Sequence, residues 1–129
     1  MKPRPASTYS MSYDSLKTGS DAENSASEFF QKNGFEILEK NFRFGRYGEI
    51  DIIARKGDLI LFVEVKSRKT DRFGGAIRSI SQKKKKSLKA TARHFLVMNP
   101  FFNSRDFSLR FDMISIENDS LEWIQDIFR

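Results

Sequence analysis

With 129 residues, 39% of them hydrophobic, the chain has room for one domain with a single modest core. Its 23 Lys and Arg against 17 Asp and Glu give a formal charge of +6 and a pI near 9.7, a balance that favours a polyanionic partner such as nucleic acid. The absence of cysteine excludes disulfides and thiolate metal sites, and the single histidine excludes a histidine-rich zinc site, so any metal would be held mainly by oxygen ligands.

The N-terminal stretch carries Pro3, Pro5, Ser7, Ser10 and Ser15 but no apolar region of the kind a secretion signal needs. Residues 1–18 are therefore expected to be a disordered arm, with a partner-binding segment as the functional alternative, ahead of a single domain over 19–129. Ala22, Ala26, Phe29 and Phe30 recur at helical spacing and predict a first helix over 20–33 that Gly34 stops. Strands follow over 35–43, 49–54 and 59–67, the last two joined through Arg55-Lys56-Gly57-Asp58 as an antiparallel hairpin. Phe73, Gly74 and Gly75 mark a loop. Leu88, Ala92, Phe95 and Leu96 predict a second helix over 81–98 that ends at Pro100, and 107–117 alternates as a further strand. The ending 121–128 is too short to type. No apolar run approaches the ~18 residues of a membrane helix, so a cytoplasmic protein with no membrane partner is expected. The order of elements predicts an α/β (α+β) domain with a central mixed sheet flanked by helices.

The informative anomaly is the strand at 59–66. Leu59-Ile60-Leu61-Phe62-Val63 is apolar on both faces, as in a covered central strand, yet it runs directly into Glu64-Val65-Lys66. Alternation puts Glu64 and Lys66 on the face of Ile60 and Phe62. If Arg55 pairs with Asp58, Asp51 faces Phe62 and Glu49 faces Glu64, so Asp51 is the diagonal same-face neighbour of Glu64, about 7–8 Å away at Cα. A bulge would instead set Asp51 directly opposite Glu64. Three carboxylates, Glu49, Asp51 and Glu64, would repel one another unless something positive lies between them, and Lys66 neutralises one of them. Mg²⁺ or Mn²⁺ suits the remainder. The bland alternative is a strand-end salt bridge between Glu64 and Lys66 with Asp51 solvated.

The strings Gly48-Glu49-Ile50-Asp51-Ile52-Ile53-Ala54 and Leu61-Phe62-Val63-Glu64-Val65-Lys66-Ser67-Arg68 resemble the signature of the YraN-like bacterial proteins. Glu23 with Ala26, Asn41-Phe42-Arg43, Lys84, Arg110-Phe111-Asp112 and Glu122-Trp123-Ile124 extend the likeness over all but the first 18 or so residues. That motif is similar to those of the PD-(D/E)xK nucleases and the archaeal Holliday-junction resolvases. The resemblance implies a restriction-endonuclease-like core in which Asp51 and Glu64 ligate a metal, the Val65 carbonyl completes its sphere, and Lys66 positions or activates the attacking water. It also implies an acidic partner from the first helix. Glu23 and Glu28 compete for that place, and at about 100° per residue Glu23 shares the stripe of Ala26 and Phe30 while Glu28 turns toward solvent. Ser20-Asp21-Ala22-Glu23 also fits a capping box, so Glu23 is either ligand or cap. Glu49 is either a further carboxylate of the site or a strand-edge charge.

Lys83, Lys84, Lys85 and Lys86 open the second helix. Lys84 falls on the stripe of Leu88 and Ala92, which lets it reach the carboxylates or a scissile phosphate. Lys83, Lys85, Arg68, Lys69, Arg72 and Arg78 are candidates for following a nucleic-acid backbone, or form a solvated basic face. Phe101 and Phe102 either cap the core or stack on a base. His94 is expected on the surface, and Arg110 and Asp112 are expected to be sheet architecture. The functional expectation is a metal-dependent endonuclease acting on DNA more readily than RNA, branched or single-stranded, and a homodimer if junctions are its substrate. The alternative is a nuclease-like fold that binds nucleic acid without cleaving it.

Overall fold

The computed structural model describes residues 7–10, 19–68, 80–118 and 120–129. Within them lie β1 (Ser7–Ser10), α1 (Gly19–Lys32), β2 (Glu36–Phe44), β3 (Gly48–Lys56), β4 (Leu59–Arg68), α2 (Gln82–Met98), a 3-10 turn (Pro100–Phe102), β5 (Ser108–Glu117) and β6 (Ser120–Ile124). The strands form one mixed sheet in the order β1-β6-β5-β4-β3-β2. Only β4 and β5 run parallel among these neighbours, as the crossover through α2 requires.

The two faces of the sheet have different covers. Ala22, Ala26, Phe29 and Phe30 of α1 pack on Ile52, Ala54, Leu61, Val63, Ile114, Ile116 and Leu121. Leu88, Ala92, Phe95 and Leu96 of α2 pack on Ile50, Ile53, Ile60 and Phe62 on the other side. Both faces of β4 are thus buried, which is why its apolar run does not alternate. This is the α+β, two-sided mixed sheet expected of a restriction-endonuclease-like core. Among the described residues no helix is long and apolar enough to cross a membrane.

The end of α1 is written in the sequence. Gly34, at φ +87°, lets its own N–H reach the Gln31 carbonyl at 3.1 Å and the Phe35 N–H reach the Phe30 carbonyl at 2.9 Å. These are the paired bonds of a Schellman motif, and the Phe30 and Phe35 rings close it at 5.5 Å.

Three expectations need correction. Ser7–Ser10, assigned to the disordered arm, pairs antiparallel with β6, Tyr9 opposite Leu121. A short polar strand of this kind is held by main-chain bonds and leaves no apolar pattern to read. The hairpin register also differs: Lys56 pairs with Leu59 and Ile52 with Val63, so the loop is only Gly57-Asp58, with Gly57 at φ +61° in its first position. Finally, α1 starts at Gly19, which takes Ser20 inside the helix and off the N-cap position that the capping box needs. The loop at Phe73, Gly74 and Gly75 lies outside the described residues.

Candidate active site

The site lies where the two central strands part. The β3–β4 ladder ends at Ile52 opposite Val63, yet β3 continues along β2 to Gly48 opposite Phe44, and β4 continues along β5 to Arg68 opposite Glu117. Each strand keeps its outer neighbour and gives up its inner one, which opens a fork in mid-sheet. In the register of a two-residue hairpin the next bonded pair would join Val65 to Ile50. Instead the Val65 N–H donates to the Asp51 carboxylate, Oδ2, at 2.7 Å. The N–H and C=O of one strand residue point to the same edge, so the Val65 carbonyl is directed into the same fork.

Ile50 packs on the α2 side and Ile52 on the α1 side, although both have the same parity, so alternation along β3 slips at Asp51. Asn41, bracketed opposite it by the pairs Lys40–Ile52 and Phe42–Ile50, has φ +54°. Asp51 therefore reaches into the sheet plane, at the level of Glu64 and not diagonal to it. In that position it feels acids from both sides. Its carboxyl is pushed up from the ordinary 3.8 to about 7, first by burial, then by Glu64, with Glu23 and Glu49 adding to the rise and the Val65 hydrogen bond opposing it. Glu23 of α1 is half-buried while Glu28 is exposed, as helical geometry required.

Glu64 is buried on the α2 side of the fork, and burial raises its carboxyl above the usual range against the pull of Lys84 and Lys66. Lys84 Nζ stands 3.6 Å from Glu64 Oε2, and Lys66 Nζ stands 3.9 Å from Oε1. These are ion pairs beyond hydrogen-bond length, and Oε2 is buried with no hydrogen-bond partner. An orphaned carboxylate oxygen beside an acid held near neutrality is what a hard cation would relieve. Among the described residues no three acidic or histidine side chains are gathered as a ready-made ion site, so such a cation would take Asp51, Glu64, a main-chain carbonyl such as that of Val65, and water.

The remaining candidates divide. Glu49 pairs with Arg43 across the β2–β3 ladder at 2.7 Å, and its charge still raises both Asp51 and Glu64. Lys83 is exposed on the first turn of α2. Lys85 turns away, its ammonium 6.0 Å from the Phe128 ring, beside Lys89 at 5.7 Å. Arg68 ends β4, and Lys69, Arg72 and Arg78 lie outside the described residues. Phe102 joins the α2-side core, while Phe101 stays 69% exposed, with Arg55 5.8 Å from its ring.

One residue departs from its expected place, and another does more than was expected of it. His94 is half-buried and stacks on Phe44 at 4.1 Å, where a surface position was expected. The signal was its place on the Ser87, Thr91, His94 stripe of α2, which faces the β2–β3 hairpin. Asp112 is fully buried and fully bonded: Arg110 donates through Nε at 2.8 Å and Nη2 at 2.9 Å, Trp123 Nε1 at 2.9 Å, and the Asp126 N–H at 2.9 Å. The expected Arg110–Asp112 architecture is thus a clamp that also ties down the C-terminal segment.

A two-faced mixed sheet with an Asp, Glu and Lys centre in a strand fork is the class of protein that the fold and site define. Residues 22–116 match the uncharacterised protein family UPF0102, the family to which the YraN-like signature pointed. A UPF0102 protein of Nitrosomonas europaea is 45% identical over 113 residues, which are 85% of this chain and 92% of that protein. One from Shewanella loihica is 35% identical over 117 residues, 91% of this chain and 98% of its own length. Another, from Dechloromonas aromatica, is 39% identical over 110 residues, 85% and 87% of the two chains. The chain belongs to the UPF0102 family.

Proposed function

We propose that this protein is a divalent-metal-dependent endonuclease that hydrolyses phosphodiester bonds in DNA. The observation that carries the reading is the orphaned, buried Glu64 Oε2 at the level of Asp51, whose carboxyl titrates near 7, with two lysine ammonium groups on the same carboxylate. Mg²⁺ or Mn²⁺ bound there would supply Lewis acidity toward a phosphate oxygen and toward water. Asp51 and Glu64 would hold the ion, with the Val65 carbonyl beside them and Glu23 as the acid of the α1 side. Asp51 is fixed for this by the Val65 N–H, so little reorganisation is needed. Lys66 is the residue that would place positive charge at the attacking water or the developing oxyanion. Lys84 would do the same for a non-bridging oxygen, once a cation releases both from Glu64. The exposed Lys83 and the basic start of α2 would meet neighbouring phosphates, where the helix N-terminus already favours anions. A cytoplasmic location, and a homodimer where two cuts are needed, fit the same reading.

A second reading, a nucleic-acid-binding protein without turnover, is favoured by one observation. Lys84 and Lys66 already offset the charge of Glu64, and no third ligand side chain stands ready among the described residues. The experiment is cleavage of labelled single-stranded, duplex and four-way-junction DNA with Mg²⁺ or Mn²⁺, the wild type beside Asp51→Ala and Lys66→Ala. Cleavage by the wild type that both variants lose supports the nuclease. Cleavage that persists in a pure Asp51→Ala preparation refutes it, and retarded but intact DNA in every lane moves the assignment to the binding protein.

A further inference from the structure

The tip of the β2–β3 hairpin is more firmly held than a surface turn needs to be. The Ser87 hydroxyl of α2 donates to the Tyr47 carbonyl at 2.5 Å. Gly48 lies so close to the helix that an added Cβ would come within 2.6 Å of Thr91 Oγ1 and would also overlap Ser87. One helical turn further on, His94 stacks on Phe44 at 4.1 Å with the rings 12° from parallel, and Phe42 supports His94 at 5.8 Å. Phe44 in turn supports Tyr47 at 4.9 Å. The result is a column His94, Phe44, Tyr47 whose last ring is 69% exposed.

The tip that carries this ring is anchored to α2 one turn beyond Lys84. Ser87, which holds the tip, is three residues after Lys84, about 4.5 Å along the helix axis, and the Lys84 ammonium is 3.6 Å from Glu64. Glu49, whose charge raises Asp51 and Glu64, is only two residues from Tyr47. Arg46, next to Tyr47 in the turn, is exposed, whereas Arg43 alternates to the other face of β2 from Phe42 and Phe44 and is paired with Glu49 at 2.7 Å. A rigid, exposed aromatic face in a turn that also carries an exposed arginine matches a nucleotide, since the ring takes the base and Arg46 can meet a phosphate. Bases inside a duplex are stacked on both sides and offer it no free face.

We propose that Tyr47 is a stacking platform for an unpaired base, so that the substrate class of the site is DNA with a single-stranded segment next to the bond cut, not uninterrupted duplex. This rests on the nucleic-acid part of the function proposed above. The pre-ordered column keeps the entropic cost of engaging the base small, because Tyr47 need not be immobilised on binding.

The test is fluorescence anisotropy with a labelled single-stranded DNA and a duplex of the same sequence, at low salt without divalent cation, for the wild type, Tyr47→Ala and Tyr47→Phe. A 2-aminopurine in the single strand reports stacking directly. Loss of one stacked base weakens single-strand binding by about tenfold in Tyr47→Ala, with duplex binding and the Tyr47→Phe variant within about twofold of wild type. The 2-aminopurine quench should vanish in Tyr47→Ala and persist in Tyr47→Phe. Unchanged single-strand affinity in Tyr47→Ala, or an equal loss on duplex, overturns the proposal while leaving the nuclease reading standing. A wild type that binds neither DNA overturns both.

Discussion

Replacing Asp51 by asparagine should stabilise the metal-free protein, and the gain should grow with pH. The Asp51 carboxyl titrates near 3.8 in an unfolded chain and at about 7 in the fold, chiefly because it is buried and faces Glu64. A shift of roughly 3 units at 1.36 kcal/mol each makes ionised Asp51 a burden of about 4 kcal/mol on the native state. Between those two pKa values the native chain holds a proton that the unfolded chain has released. Stability is therefore complete below about pH 4, falls as pH rises, and levels off above about 7. Asparagine keeps an oxygen to accept the Val65 N–H, now 2.7 Å from Asp51 Oδ2, and removes the charge. Urea denaturation followed by the fluorescence of Trp123, whose ring sits 5.6 Å from those of Phe29 and Phe30, measures the difference. Because Asp51 and Glu64 titrate as a pair, the difference reads both groups. Asp51→Asn should exceed wild type by about 2–4 kcal/mol at pH 8 and match it near pH 4. Equal or lower stability of the variant at pH 8 would refute the crowded-acid account of the fork.

Mg²⁺ or Mn²⁺ should raise the melting temperature of the wild type but not of Asp51→Ala. The effect should strengthen as pH rises through about 7, because the cation competes with the Asp51 proton; at a hundredfold excess over Kd the stabilisation is about 2.7 kcal/mol. Asp112→Ala should cost about 3 kcal/mol or more by urea denaturation, since Arg110, the Trp123 indole N–H and the Asp126 N–H lose a shared, buried acceptor. Amide exchange at Asp126 and Ile127 should rise with it.

Most of the fold was legible because its elements carry strong periodic signals. The α1 stripe of Ala22, Ala26, Phe29 and Phe30, the Gly34 stop and the two-sided run into Glu64 each have one physical solution. The β3–β4 register did not, because Arg55-Lys56-Gly57-Asp58 accommodates more than one turn and the loop length sets the pairing. The expected and observed registers differ by an even shift, Asp51 standing at the level of Glu64 instead of Phe62. An even shift preserves the face only in a regular ladder; here alternation slips at Asp51, whose carboxylate turns into the sheet plane to meet the Val65 N–H while Glu64 stays on the α2 side. Lys84 was found because an inward stripe fixes direction whatever the residue type. His94 was missed for the converse reason: its stripe of Ser87 and Thr91 is polar, and apolar counting passes over a face that packs by stacking and hydrogen bonding.

The fork itself had no sequence signature beyond the charged residues placed in it, and its cause lies in competition for one main-chain donor. In a continuous ladder Val65 would bond to Ile50, and a sheet covered by helices on both faces has little reason to give that bond up. The Asp51 carboxylate replaces it with a charge-assisted bond, which keeps the buried N–H satisfied while the strands part. The parting is local because β4 stays paired with β5 through all ten of its residues and β3 stays on β2, so the framework on either side of the gap is fixed. The same residue that is costly to ionise there is thus the one that opens the space. Its repulsion with Glu64 can be relieved by a proton or by a cation, and only the cation would leave both carboxylates charged at neutral pH.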